Sequence, residues 1–320
     1  MKNILSKTLT LILLALNCSA LATPYEKATP SSTMDGAVHY RKMKVNGLQI
    51  FYREAGPAGA PVILLMHGYP TSSFMFRNLI PELSTRFHVI APDLPGFGFS
   101  DFPSRKSYTY TFDNLANTMQ DFTDQLDLKH FAIYIFDYGA PIGMRLILQH
   151  PERITGIISQ NGNAYKEGLL DWSHGLVKTY WEQPTQRNRN AIRKFFTLSG
   201  TNFQYREGIE DQSLVAPETI YLDQTLMNRP ENIEMQLDLL LDYRNNLKIY
   251  PVFQAYLRKY QPKLLAVWGS KDPYFGSAGA LSFKRDDPGA KVKFYDTGHF
   301  ALETHYKEIG KDVFDFLSNL

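Results

Sequence analysis

From about Tyr40 onward, short runs of β-branched and aromatic residues alternate with longer stretches whose apolar positions recur at helical spacing. The runs predict strands at Gln49 to Arg53, Val62 to Met66, His88 to Ala91, Phe131 to Phe136, Ile154 to Ser159, Leu264 to Trp268 and Lys291 to Tyr295. Several are almost continuously apolar, as strands covered on both faces must be. Strand and helix in alternation predict an α/β protein with a mostly parallel sheet flanked by crossover helices.

Between about Gly162 and Pro262 the rhythm stops. That segment reads as helical and polar-aromatic, clearest over Asn232 to Leu241 and Tyr250 to Tyr260. Because it separates two core strands, it is expected to be an inserted helical cap. The expected layout is residues 23–162 and 263–320 as the core and 163–262 as the cap. Arg187, Arg189, Arg193 and Lys194 within the cap are read as a solvated helix face.

The amino terminus does not fit this pattern. Lys2 and Lys7, the apolar run Leu9 to Leu16 and the small-x-small site Ala20-Leu21-Ala22 spell a secretory signal peptide over residues 1–22, cut after Ala22. An uncleaved anchor is the competing reading, but the apolar run is shorter than the roughly 20 residues of a spanning helix. A lipoprotein signal at Cys18 is a second alternative, with Asn17 where such signals have a small residue. The mature chain is therefore expected to be exported, periplasmic or secreted, without stable membrane insertion. Cys18 is the single cysteine, so a mature chain would hold no disulfide, thiolate nucleophile or cysteine metal site. Loss of Lys2 and Lys7 takes the basic count from 34 to 32, against 32 acidic residues, which gives no reason to expect nucleic acid or an anionic membrane as partner.

The chemistry gathers where strands end. Phe131 to Phe136 runs into Asp137-Tyr138-Gly139-Ala140-Pro141, followed by the helical pattern Ile142 to Leu148. A polar residue at so sharp a strand-to-helix turn is presented at the open end of the sheet, with helix amides pointing at it. An aspartate before a helix also serves as an N-cap, and this turn alone does not separate the two roles. Val62 to Met66 leads into His67-Gly68-Tyr69-Pro70, Leu264 to Gly269 into Ser270-Lys271-Asp272-Pro273, and Lys291 to Tyr295 into Asp296-Thr297-Gly298-His299-Phe300. Nucleophile, acid and histidine then follow one another along the chain, each after a strand, where ligands bind in open α/β sheets.

These motifs, with the loop Asp93 to Ser100 and the segment Gly298 to Glu303, resemble the α/β-hydrolase fold in its epoxide hydrolase and haloalkane dehalogenase branch, across nearly the whole mature chain. The resemblance implies Asp137 as nucleophile, His299 as general base and Asp272 as the acid orienting it. It implies an oxyanion hole from the Tyr69 and Tyr138 backbone N–H groups, with His67 and Gly68 shaping the loop. Unlike a serine, a carboxylate displaces a leaving group from a saturated carbon and leaves an alkyl ester on the enzyme. The expected partners are thus water and a small organic substrate with an electrophilic carbon; no cofactor and no metal is expected.

The leaving group divides the two activities. An epoxide opens to an alkoxide that needs an acid, and Lys178 to Pro184 and Leu241 to Asn245 resemble the segments carrying the cap tyrosines of epoxide hydrolases, which points to Tyr180 and Tyr243 as donors. Tyr221, Tyr250, Tyr256 and Tyr260 are substitutes. Dehalogenases hold halide with a tryptophan after the nucleophile and a second donor; here Tyr138 and Tyr69 stand at those places, leaving the Trp172 or Trp181 indole to donate. Epoxide hydrolysis to a vicinal diol is the favoured expectation, with haloalkane dehalogenation as the alternative and a secreted binding or effector protein as a third reading. Ile135, where this fold usually has a small residue, is expected to strain or displace the elbow. Asn161 and Asn163 occupy a place where some relatives carry the acid, and asparagine cannot be a charged partner. Glu303 and His305 are read as capping or surface residues.

Overall fold

The computed structural model describes residues 37–170 and 175–320. The expected leader with Cys18, and Trp172 and His174 of the insertion, lie outside the described residues.

Eight strands form one sheet: β1 (His39–Val45), β2 (Leu48–Ala55), β3 (Val62–Met66), β4 (His88–Pro92), β5 (Phe131–Phe136), β6 (Ile154–Gln160), β7 (Leu264–Gly269) and β8 (Lys291–Tyr295). Their order across the sheet is β1-β2-β4-β3-β5-β6-β7-β8. β1 and β2, and β2 and β4, pair antiparallel, and the remaining neighbours are parallel. The first helices are α1 (Leu79–Leu83), α2 (Phe112–Gln125) and α3 (Gly139–Gln149). Between β6 and β7 lie α4 (Leu176–Glu182), α5 (Gln186–Ile192), α6 (Leu198–Arg206), α7 (Pro217–Met227), α8 (Asn232–Asp242) and α9 (Asn246–Tyr260); α10 (Ser277–Asp286) follows β7 and α11 (Ala301–Leu317) follows β8.

The central strand β5 shows how sequence divides the core. All six residues are buried. Its alternate side chains must point to opposite faces: Ile133 and Ile135 join Leu115, Met119, Ile142 and Phe283 of α2, α3 and α10, and Ala132, Tyr134 and Phe136 join Leu79, Leu83, Ile309 and Val313 of α1 and α11. The sheet is thereby covered on both sides, and the carboxyl ends of β3, β5, β7 and β8 open on one edge of it.

Three expectations change. β1 was not anticipated as a strand, because HYRKMKV carries four basic or imidazole side chains; it is an outer strand with alternating half-buried and exposed residues, and charge suits a sheet edge. The basic run is only in part a solvated face: Arg187 and Lys194 are exposed, but Arg189 is mostly buried and pairs with both Glu234 and Asp238, and Arg193 also pairs with Glu234, so these two arginines tie α5 and the turn after it to α8. Ile135, expected to strain or displace the elbow, is accommodated by Gly143 on α3: a Cβ at Gly143 would lie 2.4 Å from Ile135 Cγ2. The small residue stands on the helix instead of the strand, eight positions further along.

Gly143→Ala is therefore expected to lower stability by about 1–3 kcal/mol through overpacking, measured by urea unfolding. Combined with Ile135→Ala, Gly143→Ala should cost less than the sum of the two single losses, because the two sites share one contact.

Candidate active site

Asp137 sits in the tight turn between β5 and α3 at φ 46°, a left-handed conformation that a side chain adopts only where its surroundings enforce it. Two glycines permit the approach. A Cβ at Gly139 would come within 2.4 Å of the Met66 carbonyl, and one at Gly68 within 2.4 Å of the Asp137 side chain itself. The carboxylate is not spent on capping: the residue preceding α3 is Tyr138, and no side-chain cap bond forms there. Instead the Tyr69 N–H donates to Asp137 Oδ1 at 2.6 Å, and the Tyr138 N–H also donates to the carboxylate.

The loop supplying Tyr69 is held by His67. Its ring accepts the Leu94 N–H at Nε2, 2.9 Å, so the proton sits on Nδ1 and is shared with the Gly68 carbonyl at 2.9 Å. Burial pushes this imidazole's pKa down, consistent with a neutral ring that accepts at one nitrogen and donates at the other. The Asp93 carboxylate pins the neighbouring loop, taking the N–H groups of Ser73 and Phe99 at 2.7 and 2.8 Å.

His299, between β8 and α11, is fully buried. Its Nδ1 lies 2.7 Å from Asp272 Oδ2, and its Nε2 faces Asp137 Oδ2 at 3.7 Å. Four N–H donors thus converge on Asp272: His299 and the Asn161 amide on Oδ2, the Tyr274 and Phe275 backbone on Oδ1. Asn161 is the residue that sequence reasoning undervalued. It cannot carry charge, but it orients the acid by a 2.7 Å bond, while its own oxygen takes the Gly269 N–H at 2.9 Å. The visible signal was its place at the end of β6, beside β7.

Electrostatics divide the Asp137–His299 pair. Burial raises Asp137 to about 6, opposed by the positive field of His299 and by the two amides. Burial lowers His299, but the charge and hydrogen bond of Asp272, with a smaller contribution from Asp137, carry it above its ordinary value. A cavity of about 450 Å³ opens over Asp137, with Val177, Phe196, Leu240 and Pro273 among its apolar walls and the Tyr138 and Tyr274 rings beside the carboxylate.

The expected acid donors fare differently. Tyr180 is turned away from this cavity: its hydroxyl accepts from Arg189 at 2.8 Å and lies 3.4 Å from the Leu237 carbonyl. The pairing of Arg189 with the acidic α8 holds that phenol inside the cap packing, away from the cavity. Tyr243 stays closer. Its ring is 6.0 Å from that of Tyr138 and stacks on Trp181, and its hydroxyl is 3.2 Å from that of Tyr250. Glu303 is neither cap nor surface residue, since it is buried and grips Arg77 with both oxygens. Gln204 and Tyr274, both on the cavity wall, had no legible sequence signal.

A mostly parallel sheet carries a turn-borne aspartate after β5, an acid after β7 and a buried histidine after β8, and the chain belongs to the alpha/beta hydrolase fold family, whose description matches residues 61–306. It is 46% identical to an uncharacterized hydrolase of Saccharomyces cerevisiae over 278 residues, 86% of this chain and 95% of that one. A haloalkane dehalogenase of Psychrobacter cryohalolentis is 27% identical across 84% of this chain and 88% of its own. An epoxide hydrolase of known structure shares the fold with a TM-score of 0.71 at 19% identity, covering 88% of this chain and 99% of its own.

The raised Asp137 carries a stability cost with a definite sign. The folded chain keeps this proton up to about pH 6, whereas the ordinary value is 3.8; its stabilising contribution is complete below the ordinary value and lost as pH rises through the folded one. Asp137→Asn is therefore expected to unfold at the same urea concentration as the parent near pH 3.5, and to be more stable by about 3 kcal/mol at pH 8.

Proposed function

We propose that the enzyme hydrolyses epoxides to vicinal diols through a covalent ester on Asp137, and that it does so after export, on the strength of the amino-terminal signal pattern. The observation that carries the reading is the division of labour on one carboxylate: Oδ1 is held by the Tyr69 amide, while Oδ2 faces His299 beneath an apolar cavity. Oδ2 attacks a ring carbon of the epoxide as the carbon–oxygen bond breaks, and the departing oxygen takes a phenolic proton. The product of this step is a hydroxyalkyl ester. His299 then removes a proton from water as that water attacks the ester carbonyl carbon, and the charge gathers on the oxygen facing the two amides. Collapse expels the diol oxygen, which takes the proton back from His299. The carboxyl proton left on Asp137 returns through water to the phenolate.

Esterification also prepares the base. It removes the Asp137 charge, one of the influences holding His299 up, so the imidazole becomes neutral more readily when a base is needed.

Two features favour an epoxide over a halide. The described indoles are committed elsewhere, with Trp181 Nε1 donating to the Leu240 carbonyl at 2.6 Å and Trp268 Nε1 to the Phe275 carbonyl at 2.8 Å. Phenols, by contrast, stand around the carboxylate: Tyr138 and Tyr274 on the wall, with Tyr243 behind Tyr138. Burial, reinforced by the Asp137 charge, pushes Tyr138 upward and keeps its proton in place for transfer. Tyr138 is assigned as the donor to the leaving oxygen, with Tyr243 supporting it. Among the described residues, Asp137 is the only charged side chain on the cavity wall, which suits a small, uncharged and largely apolar substrate.

In single-turnover reactions with styrene oxide, His299→Gln should accumulate the ester on Asp137, detected by intact-protein mass spectrometry, while the parent clears it. Bromide release from 1-bromobutane with an alkyl adduct, and no epoxide adduct, would instead favour the dehalogenase. The alkylation rate should fall about tenfold per pH unit below about 6, because the reactive form is the carboxylate. Tyr138→Phe should slow alkylation by about a hundredfold or more, whereas Tyr180→Phe should leave it nearly unchanged.

A further inference from the structure

We propose that α6 in the segment between β6 and β7 is a positioning element for the catalytic loops, and that Tyr205 on it fixes the loop presenting His299 by stacking on Phe300. This inference rests on the reading of His299 as the base.

One short helix and the turn after it reach three loops at once. Gln204 Nε2 donates to the Tyr69 carbonyl at 2.9 Å, on the residue whose N–H holds Asp137. Tyr205 lies flat on Phe300, ring centroids 3.8 Å apart and planes 9° apart. Phe300 immediately follows His299, and its other neighbour is Phe136, the residue before Asp137, with ring centroids 5.1 Å apart. The imidazole itself is 4.7 Å from Phe136. Beyond α6, the Glu207 carbonyl lies against Gly298, where a Cβ would be only 1.9 Å away. Gly208, at φ 80°, fits against the Lys271 carbonyl and the Gly298 Cα, where a Cβ would come within 2.4 and 3.0 Å. The turn is thus wedged between the acid loop and the histidine loop, and glycine is needed on both sides of the contact.

Tyr205 is itself held. It is fully buried, and its hydroxyl donates to Asp223 on α7 at 2.5 Å. Asp223 in turn accepts from the Thr71 hydroxyl, in the loop that carries Tyr69. Glu303 and Arg77 form their own buried pair close by, and the Glu303 charge is felt at both Tyr205 and Asp223. A side chain placed this firmly transmits position, because a catalytic group must be held within roughly half an ångström of its productive geometry. Tyr205 is not on the cavity wall, so it acts through His299 and not on substrate.

The two chemical steps separate this role from general support. At pH 8, where Asp137 is ionised, its alkylation needs no proton transfer by His299, but hydrolysis of the ester does. Tyr205→Leu should form the styrene oxide ester within about twofold of the parent rate and hydrolyse it at least about tenfold more slowly, since small misplacements of a reacting group are costly. Tyr205→Phe keeps the stack and should hydrolyse within about threefold of the parent. The low-field proton resonance of the His299–Asp272 hydrogen bond, recorded without substrate, should shift or broaden in Tyr205→Leu and persist in Tyr205→Phe. If Tyr205→Leu does not fold, Phe300→Leu removes the same ring pair from the other side and should give the same signature. Equal slowing of both steps, or parent-like hydrolysis with an unshifted resonance, overturns the proposal. If neither parent nor His299→Gln ever forms an ester, the ester mechanism fails, yet the resonance still decides whether α6 positions the imidazole.

Discussion

Keeping a carboxylate at the floor of an apolar cavity is the constraint on which the rest of this molecule turns. An isolated buried carboxylate is expensive, and in proteins such a group either takes up a proton or is compensated by fixed dipoles and nearby charge. Asp137 has both kinds of compensation: amides from two chain segments and an imidazole on its open side. Each needs a backbone in an unusual place. The turn at φ 46°, Gly68 against the carboxylate and Gly139 against the Met66 carbonyl are consequences of bringing those amides near enough. The compensation is incomplete, and Asp137 rests near a pKa of 6, above the ordinary carboxylate range.

The same logic propagates outward. His299 can face Asp137 only because Asp272 holds the far side of its ring, and Asp272 is aimed by Asn161 together with two backbone amides. The loops carrying these groups leave different strands, so their mutual spacing depends on the sheet at one end and on the inserted helices at the other. α6 meets that need from above the sheet, while His67 and Asp93 meet it from within the loops. The result is a site whose polar atoms are almost all engaged before substrate arrives, as electrostatic preorganisation requires.

Much of this was legible in the chain. Seven of the eight strands have apolar runs strong enough to locate, and the strand-end residues Asp137, Asp272 and His299 announce themselves by where they stand. β1 was hidden by its charge, which is how an edge strand avoids further pairing. The insertion was harder. Whether a cap phenol faces the cavity depends on pairings such as Arg189 with Glu234 and Asp238, made between helices at distant sequence positions, and no local pattern reveals them. Tyr180 is the instructive failure: its surrounding motif resembles the family's, but a neighbouring guanidinium claims its hydroxyl. Ile135 and Gly143 teach the complementary lesson, since a departure at one position was balanced at another that only packing connects.

The most direct measurement of the central claim follows oxygen. With enzyme in excess over epoxide, one turnover is run in heavy-oxygen water, and both the diol and the peptide containing Asp137 are weighed. Attack through an ester predicts that the first diol carries ordinary oxygen from Asp137, while the Asp137 peptide gains one heavy atom. Heavy oxygen in the first diol, with an unlabelled Asp137, would mean that His299 activates water directly on the substrate and that Asp137 is not the nucleophile.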